Sequence, residues 1–258
     1  MAGTPAGGAS AGQVSAEDAI VHTLRDLVEA SRKAVFFGGA GTSTESGIPD
    51  FRSERGIFNE AYPYPPEQIV ARDFFDAHPK EFFEFYRAKL LHPAARPNPA
   101  HVALADLEAE GHLAAVVTQN IDGLHQMAGS LNVVELHGSV HRNTCMGCGA
   151  TFGLDTVVNA RDIPLCECGG IVKPDVVLYG EPLDDDVVRR AIQAISEADL
   201  LVVGGTSLAV YPAAGLLGYF HGRDLVVINT SPTPQDRAAS LVIAEPIGHV
   251  FARLRRRS

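Results

Sequence analysis

The strongest constraint on the fold is the alternation of short, continuously apolar runs with amphipathic segments. Buried strands are predicted for the apolar runs at residues 34–37, 114–117, 133–136, 200–203 and 225–228. Helices are predicted where apolar residues recur at helical spacing, over residues 15–28, 101–110, 184–197 and 211–220. Continuous apolar strands separated by such helices are typical of a parallel sheet covered on both faces. The chain is therefore predicted to be a doubly wound α/β protein.

Two stretches interrupt this alternation. Residues 56–97 are rich in aromatic residues and proline, and residues 141–171 contain all four cysteines, so both are predicted to form a small domain beside the sheet. The large domain then comprises residues 15–55, 98–140 and 172–258. Residues 1–14 are predicted to be a disordered leader, because they are mostly small residues and lack the charged and apolar regions of a secretory signal.

Composition argues against two classes of partner. The 21 Lys and Arg residues against 31 Asp and Glu give a net charge of −10, and direct nucleic-acid binding usually needs a positive surface. No run of about 18 apolar residues is present, so no membrane span is expected. Since no export signal is apparent, we expect a reducing, cytoplasmic location.

The cysteines form two closely spaced pairs, Cys145-x2-Cys148 and Cys166-x-Cys168, separated by 17 residues. Four thiolates from two such pairs suit tetrahedral zinc with no open position, which predicts one structural Zn²⁺ ion. The single residue between Cys166 and Cys168 makes the second pair tighter than in usual zinc ribbons. A redox-active pair is the alternative.

Three glycine-rich or polar turns follow predicted strands, at residues 38–43, 204–207 and 229–231. The carboxyl ends of parallel strands meet at one edge of a sheet, where such proteins bind nucleotides. The dinucleotide fingerprint expects a glycine where Thr44 stands, so a plain glycine turn is the alternative for the first loop. Asn120, Asp122 and His125 follow a fourth strand and His137 a fifth, so they are predicted to lie on the same edge. Together they supply a base, an amide and a carboxylate, although a lone histidine would more often be structural.

In combination these motifs closely resemble the sirtuin family of NAD-dependent protein lysine deacylases, in a bacterial-type form. The resemblance runs from about residue 17 to residue 251 and is carried by the segments 39–52, 118–125, 135–138, 173–181 and 205–208 and by the four cysteines. It implies a Rossmann-like large domain and a small domain made of a helical module and a zinc ribbon. It also implies that NAD is consumed as a co-substrate and that acyl-lysine proteins or peptides are the partners. The implied products of deacetylation are nicotinamide and 2′-O-acetyl-ADP-ribose, the acyl group being transferred to ADP-ribose.

The resemblance also implies roles for individual residues. His137 would be the base, Asn120 would position water and ribose, and Asp122 would hold the ribose or the nicotinamide amide. Arg52 would meet a phosphate, and Phe51 would cover the ribose after nicotinamide leaves. The full set of predicted cofactor-binding residues is Gly39, Ala40, Gly41, Thr42, Ser43, Thr44, Ile48, Asp50, Phe51, Arg52, Gln119, Asn120, Ile121, Asp122, His137, Gly205, Thr206, Ser207, Asn229, Thr230, Ser231 and Ile247.

Substrate lysine is expected to thread between two extended segments, which can pair with a peptide backbone. The predicted substrate-binding residues are Val176, Val177, Leu178, Tyr179, Gly180, Glu181, Leu208, Ala209 and Val210. Family members that remove succinyl or malonyl groups carry a Tyr-x-x-Arg pair. Here Tyr62 is followed at that spacing by Pro65, and Tyr64 by Glu67, which favours short neutral acyl groups. Thr42 stands where the family often has Ile or Val.

Other functions remain as alternatives. ADP-ribosyl transfer would use the same cofactor, and a nicotinamide-dependent dehydrogenase would fit the glycine loop alone. A non-enzymatic zinc-ribbon module that binds protein or nucleic acid is the third, although few basic residues flank the cysteines.

Overall fold

The computed structural model describes residues 16–53, 56–59 and 62–255. The strands are β1 (Ala34–Gly38), β2 (Leu113–Thr118), β3 (Val133–Glu135), β4 (Gly138–Cys145), β5 (Thr151–Phe152), β6 (Val172–Val176), β7 (Leu200–Gly204), β8 (Asp224–Ile228) and β9 (Leu241–Ile243). The α-helices are α1 (Ala16–Ala30), α2 (Pro66–Ile69), α3 (Arg72–Ala77), α4 (Pro79–Phe85), α5 (Pro99–Ala109), α6 (Leu124–Ala128), α7 (Leu154–Val158), α8 (Asp185–Ser196) and α9 (Ile247–Arg255).

Six strands form one parallel sheet in the order β3-β2-β1-β7-β8-β9. Alternate strand residues face opposite sides of a sheet, so its two faces build separate cores. Phe36 and Val202 face α1, α5 and α9, whereas Phe37 and Val203 face α8 and the helical segment after β7. The central strands are apolar throughout because both of their faces are covered. The predicted doubly wound, Rossmann-like class is thus confirmed.

The differences from the predicted elements lie where local signals are weak. The segment expected to be helical at residues 211–220 is a 3-10 helix over Ala213–Tyr219, since Pro212, Gly215 and Gly218 disfavour a regular α-helix. Strand β9, at the edge of the sheet, was not predicted. The predicted leader and residue 15, where the first predicted helix was expected to begin, lie outside the described residues.

The remaining elements form two smaller units. Helices α2, α3 and α4 and a π-helical segment over Tyr86–Leu90 enclose a cluster dominated by aromatic rings. Phe75, Phe82 and Phe83 pack edge to face at ring-centroid distances of 4.9–5.9 Å. Strands β5, β4 and β6 form an antiparallel sheet that carries the cysteines. Val140 and Val176 join this sheet to the aromatic cluster.

Only Leu136 and His137 separate the last strand residue of the large sheet, Glu135, from the first of the small sheet, Gly138. Gly138 has φ +77°, and a Cβ there would lie 1.9 Å from the carbonyl oxygen of Asp175. The chain can therefore cross between the sheets at this point only with glycine. Every helix in the described ranges is too short or too polar to span a membrane.

Candidate active site

A cavity of about 470 Å³ opens at the carboxyl ends of β1, β2, β7 and β8, within the size range of ligand pockets. Most of the residues predicted from the sequence line it. On the sheet side these are Gly39, Ala40, Gly41, Ser43, Ile48, Gln119, Asn120, Ile121, Asp122, His137, Gly205, Thr206, Ser207, Asn229, Thr230 and Ser231. On the side of the small domain they are Asp50, Phe51, Arg52, Val176, Val177, Leu178, Tyr179, Gly180, Glu181 and Val210.

The remaining predicted residues lie outside the cavity lining. Thr42 is fully buried, and its hydroxyl lies 3.4 Å from the carbonyl oxygen of Gly204. Its polar atom is thus directed into the fold, so it does not change the polarity of the cavity. Thr44 is exposed and bonds back to Gly41, while Leu208 and Ile247 are buried in the two cores of the large sheet. Ala209 also lies outside the lining.

The first glycine loop packs directly on the loop after β7. The amide of Gly41 donates to the carbonyl of Gly205 over 2.8 Å, and a Cβ on Gly41 would come within 2.8 Å of the Gly205 Cα. Neither side has room for a side chain, and both loops line the cavity. Glycine loops of this kind at strand ends allow a diphosphate to approach the backbone.

His137 presents a free ring nitrogen to the cavity. Its Nδ1 lies 2.9 Å from the carbonyl oxygen of Gln119, which only accepts, so Nδ1 carries the proton in the neutral ring. The other nitrogen, Nε2, is then unprotonated. Burial lowers the pKa of His137, against an opposing effect of the bond to Gln119, and this favours the neutral form. The ring is thus prepared to accept a proton.

A hydrogen-bond network joins other polar residues at the cavity. The Ser43 hydroxyl donates to Asp122 over 2.7 Å, and the Asn120 amide donates to the Ser43 oxygen over 3.0 Å. His101 lies 3.4 Å from the same oxygen through Nε2, and its Nδ1 accepts from the amide of Asn98. Burial lowers the pKa of His101, so the ring is neutral and donates from Nε2. Asn120 and Asp122 are therefore held in fixed orientations.

His125, which was predicted to lie on the cavity edge, does not reach it. Helix α6 begins at Leu124 and turns the ring inward, where it is 1% exposed and packs 4.7 Å from His101 and 6.1 Å from Phe36. Neither ring nitrogen has a hydrogen-bond partner among the described residues. Burial lowers the pKa of His125 to about 3, so it remains neutral. That prediction is wrong because the residue lies seven positions past the end of β2, inside α6.

Arg52 and Phe51 lie on the loop that follows the first glycine turn. Asp50 fixes this loop by accepting from the amides of Arg52 and Ser53, over 2.9 and 2.7 Å. Phe51 packs against Phe58 at 5.3 Å, and the Arg52 guanidinium lies 5.3 Å from the centroid of the same Phe58 ring. The loop thus brings one permanent positive charge to the cavity.

The predicted peptide-binding segment is braced by Glu181. Its carboxylate accepts from the amide of Leu178, from Arg72 and from Lys173, over 2.8, 2.9 and 3.2 Å. These bonds lower the pKa of Glu181 although its burial acts in the opposite direction. Tyr179 is held through its backbone, donating to Val70 and accepting from Arg72. One side of the segment is therefore fixed to the small domain.

Several lining residues were not predicted from the sequence: Pro49, Ser53, Ile57, Phe58, Val70, Lys89, Leu90, His92, Leu183 and Pro212. Most come from the helical part of the small domain, whose residues follow no strand end. His92 also lines the cavity, although no motif in the sequence singles it out. His101 was missed as a support of Ser43 because it occupies an ordinary position on a predicted helix.

The four cysteine sulfurs form one cluster. Cys145 and Cys168 lie 3.5 Å apart and Cys148 and Cys166 3.6 Å apart, and all four sulfurs lie within 4.8 Å of one another. Tetrahedral zinc with Zn–S bonds of about 2.3 Å needs sulfurs about 3.8 Å apart, so the cluster fits one ion. Cys166 and Cys168, the more closely spaced pair, lie on a tight turn. Gly169 has φ +84°, which allows its amide to donate to the carbonyl of Cys166.

Comparison with known proteins agrees with this geometry. The model of the Sir2 family matches residues 39–212. An NAD-dependent protein deacetylase of Clostridium perfringens is 57% identical over 238 residues, which are 91% of this chain and 98% of the relative. A protein of the same name from Cutibacterium acnes is 54% identical over 235 residues, covering 90% and 96% of the two chains.

Solved Sir2 structures superpose over nearly the whole chain. A Sir2 variant with a deacetylated p53 peptide and 3′-O-acetyl-ADP-ribose has a TM-score of 0.84 at 40% identity, covering 91% of this chain and 96% of that one. Sir2 with a p53 peptide and NAD⁺ has a TM-score of 0.80 at 41% identity, with coverage of 90% and 95%. The family match, the relatives and these structures together show that the chain belongs to the Sir2 family.

Proposed function

We propose that this chain is an NAD-dependent protein lysine deacetylase that releases nicotinamide and 2′-O-acetyl-ADP-ribose. The proposal is carried by the position of His137. A neutral imidazole with a free Nε2 faces a cavity that is also lined by two mutually packed glycine loops and by an extended segment suited to a peptide. The family's relatives, named as NAD-dependent protein deacetylases, support the same activity.

Each residue has a proposed task. NAD would supply the ribose carbon, whose bond to nicotinamide would break as the acyl oxygen is joined to it. His137 takes a proton from a ribose hydroxyl, a role that usually contributes 10²–10⁴-fold in rate. Asn120 orients water and ribose, and Asp122 holds the ribose or the nicotinamide amide, both fixed by Ser43. Arg52 binds a phosphate, and Phe51 shields the ribose from water.

Short neutral acyl groups are the proposed substrates. The tyrosines that begin the two candidate Tyr-x-x-Arg positions are packed away, Tyr62 on Phe85 and Tyr64 on Phe74, each at 5.0 Å. Val176 and Leu178 give the peptide segment an apolar face. An acidic acyl group would therefore lose its hydration beside apolar residues without a matching arginine at these positions.

The rest of the sequence-based assignment is part of this proposal. Residues 15–55, 98–140 and 172–258 form the NAD-binding domain, and residues 56–97 and 141–171 form the small domain. The four thiolates hold one zinc ion that stabilises the ribbon, an arrangement too small to have a large apolar core. Thiolates that hold zinc must stay reduced, which favours a reducing compartment such as the cytoplasm. Direct contact with nucleic acid is not part of the proposed function.

The test is incubation of the protein with NAD and acetyl-, propionyl- or succinyl-lysine peptides, followed by mass spectrometry. Nicotinamide, deacylated peptide and acyl-ADP-ribose should appear together with the acetyl and propionyl peptides and not with the succinyl peptide. A mass increase of the peptide by ADP-ribose would instead indicate ADP-ribosyl transfer. Absorbance of reduced nicotinamide would indicate a dehydrogenase. No NAD turnover, with retention on nucleic acid that weakens with salt, would favour the zinc-ribbon module.

A further inference from the structure

Tyr179 and Arg52 connect the two halves of the cavity. An N–H of the Arg52 guanidinium donates to the Tyr179 hydroxyl oxygen over 3.1 Å. Arg52 belongs to the loop proposed to bind a phosphate, whereas Tyr179 lies in the middle of the proposed peptide segment. The two residues are 127 positions apart in the chain. This is a side-chain hydrogen bond between the proposed cofactor loop and the proposed substrate segment.

The surroundings of Arg52 leave its orientation dependent on this bond. Its side chain is 38% exposed, and its ion pair with Glu67 is long, at 3.8 Å. Phe58 lies 5.3 Å from the guanidinium carbon, so it favours a ring contact without fixing where the N–H groups point. Tyr179 accepts one of five N–H donors, so the others remain able to meet an anion. Of these three neighbours, Tyr179 is thus the one whose contact with Arg52 is both short and directional.

Tyr179 is itself well anchored. Its amide donates to the carbonyl of Val70 over 3.0 Å, and its carbonyl accepts from the amide of Arg72 over 2.9 Å. Although the residue is 40% exposed, its backbone is therefore held on both sides.

We propose that the Tyr179 hydroxyl is a positioning group that aims Arg52 at the NAD diphosphate from within the peptide-binding segment. The proposal rests on the proposed function for the identity of the anion. Phenylalanine at this position would keep the ring and the backbone bonds and would lose only the hydroxyl. The effect should therefore appear in cofactor binding and leave the chemical step unchanged.

The experiment is a double-mutant cycle on the full-length, zinc-loaded protein, using ADP-ribose as the probe because it carries the diphosphate and cannot turn over. Tyr179→Phe should raise the Kd of ADP-ribose about 3–10-fold, the usual range for one net hydrogen bond. In an Arg52→Lys background, the same substitution should change Kd less than about twofold, because its partner is already altered. Tyr219→Phe, which removes the hydroxyl of a 46%-exposed tyrosine outside the cavity lining, is the matched control.

In turnover assays Tyr179→Phe should raise the KM for NAD by a similar factor and leave kcat within about twofold. An unchanged Kd in the single variant would overturn the proposal. An equal rise in the Arg52→Lys background would also overturn it, because the hydroxyl would then act without Arg52. The ADP-ribose measurement requires no deacetylation, so failure of the proposed function would appear separately, as wild-type protein that binds ADP-ribose without releasing nicotinamide from NAD.

Discussion

The two walls of the cavity are built with different forces. The inner wall, consisting of Ser43, Asn120, Asp122 and His137, is supported by hydrogen bonds of 2.7–3.0 Å among partly buried groups, most of them neutral. The outer wall, consisting of Arg52, Tyr179 and Glu181, depends on ion pairs and on a hydrogen bond between two partly exposed side chains. Hydrogen bonds shielded from solvent fix orientation strongly, whereas an exposed ion pair such as Arg52–Glu67 contributes little and is screened by salt.

This difference suits different tasks. The proposed proton transfer requires a base within hydrogen-bond reach and in the correct tautomer, which His137 of the inner wall would provide before any ligand arrives. The proposed peptide binding would use the outer wall, which presents backbone and charged side chains. Changes to the inner wall should therefore reduce the rate, and changes to the outer wall should weaken binding.

The largest effect is expected at His137. His137→Ala removes the base and should lower kcat at least about 10²-fold while NAD still binds. Nicotinamide release and ADP-ribose binding by calorimetry measure the two properties separately. His221→Ala, at an exposed histidine outside the cavity lining, is the control and should match the wild type. Near-full activity of His137→Ala would refute the proposed role of the inner wall.

The cysteine cluster should affect the inner wall because strand β4 connects the two regions. Strand β4 starts one residue after His137 and ends at Cys145, so loss of the metal should loosen the base as well as the ribbon. Cys148→Ser should reduce bound zinc from one ion per chain towards zero and lower activity more than about tenfold. Metal analysis and limited proteolysis within residues 141–171 provide the measurements. Full activity in zinc-free protein would show that the two regions are independent.

The buried histidines predict a pH effect on stability. The pKa of His125 is about 3 when folded and about 6.5 when unfolded, so only the unfolded chain takes up a proton between these values. Stability is therefore lost as the pH falls below 6.5, by about 2 kcal/mol at pH 5 for this residue. Urea unfolding at pH 7 and pH 5 should show a smaller difference for His125→Leu than for the wild type. An equal difference would contradict the assigned burial effect.

The smallest effect is expected on the outer wall. Glu181→Gln keeps an acceptor for Leu178 but removes the charge that faces Arg72 and Lys173. The KM for the acetyl peptide should rise about 3–10-fold, with kcat nearly unchanged. Glu197→Gln breaks an ion pair with Lys33 before β1 and serves as the control. A fall in kcat without a change in KM would place Glu181 with the inner wall.

The sequence predicted the fold well where burial dictates residue type. Strands β1, β2, β7 and β8 are apolar because both faces are covered, and this pattern can be read without tertiary information. Strand β9 and the 3-10 helix depend on neighbours along the sheet and on single Pro and Gly residues. Local periodicity therefore predicted their form poorly.

The site was predicted where residues closely follow strands or belong to the motifs that carry the family resemblance. His137 and Asn120 do so, and both line the cavity. His125 belongs to the next helix and turns inward, whereas His101 and His92 approach from segments that carry no motif of their own. Their positions depend on how α5, α6 and the helical unit pack together. The spacing of residues in the sequence carries no information about that packing.

The crossing between the two sheets gives His137 a second property. Because its imidazole belongs to the two-residue connection between β3 and β4, its direction follows the angle at which the small sheet stands to the large one. A distant substitution that tilts the ribbon by a few degrees would shift the proton acceptor without altering any cavity residue. Substitutions far from the cavity could thus change the reaction rate solely by changing the direction of the His137 ring.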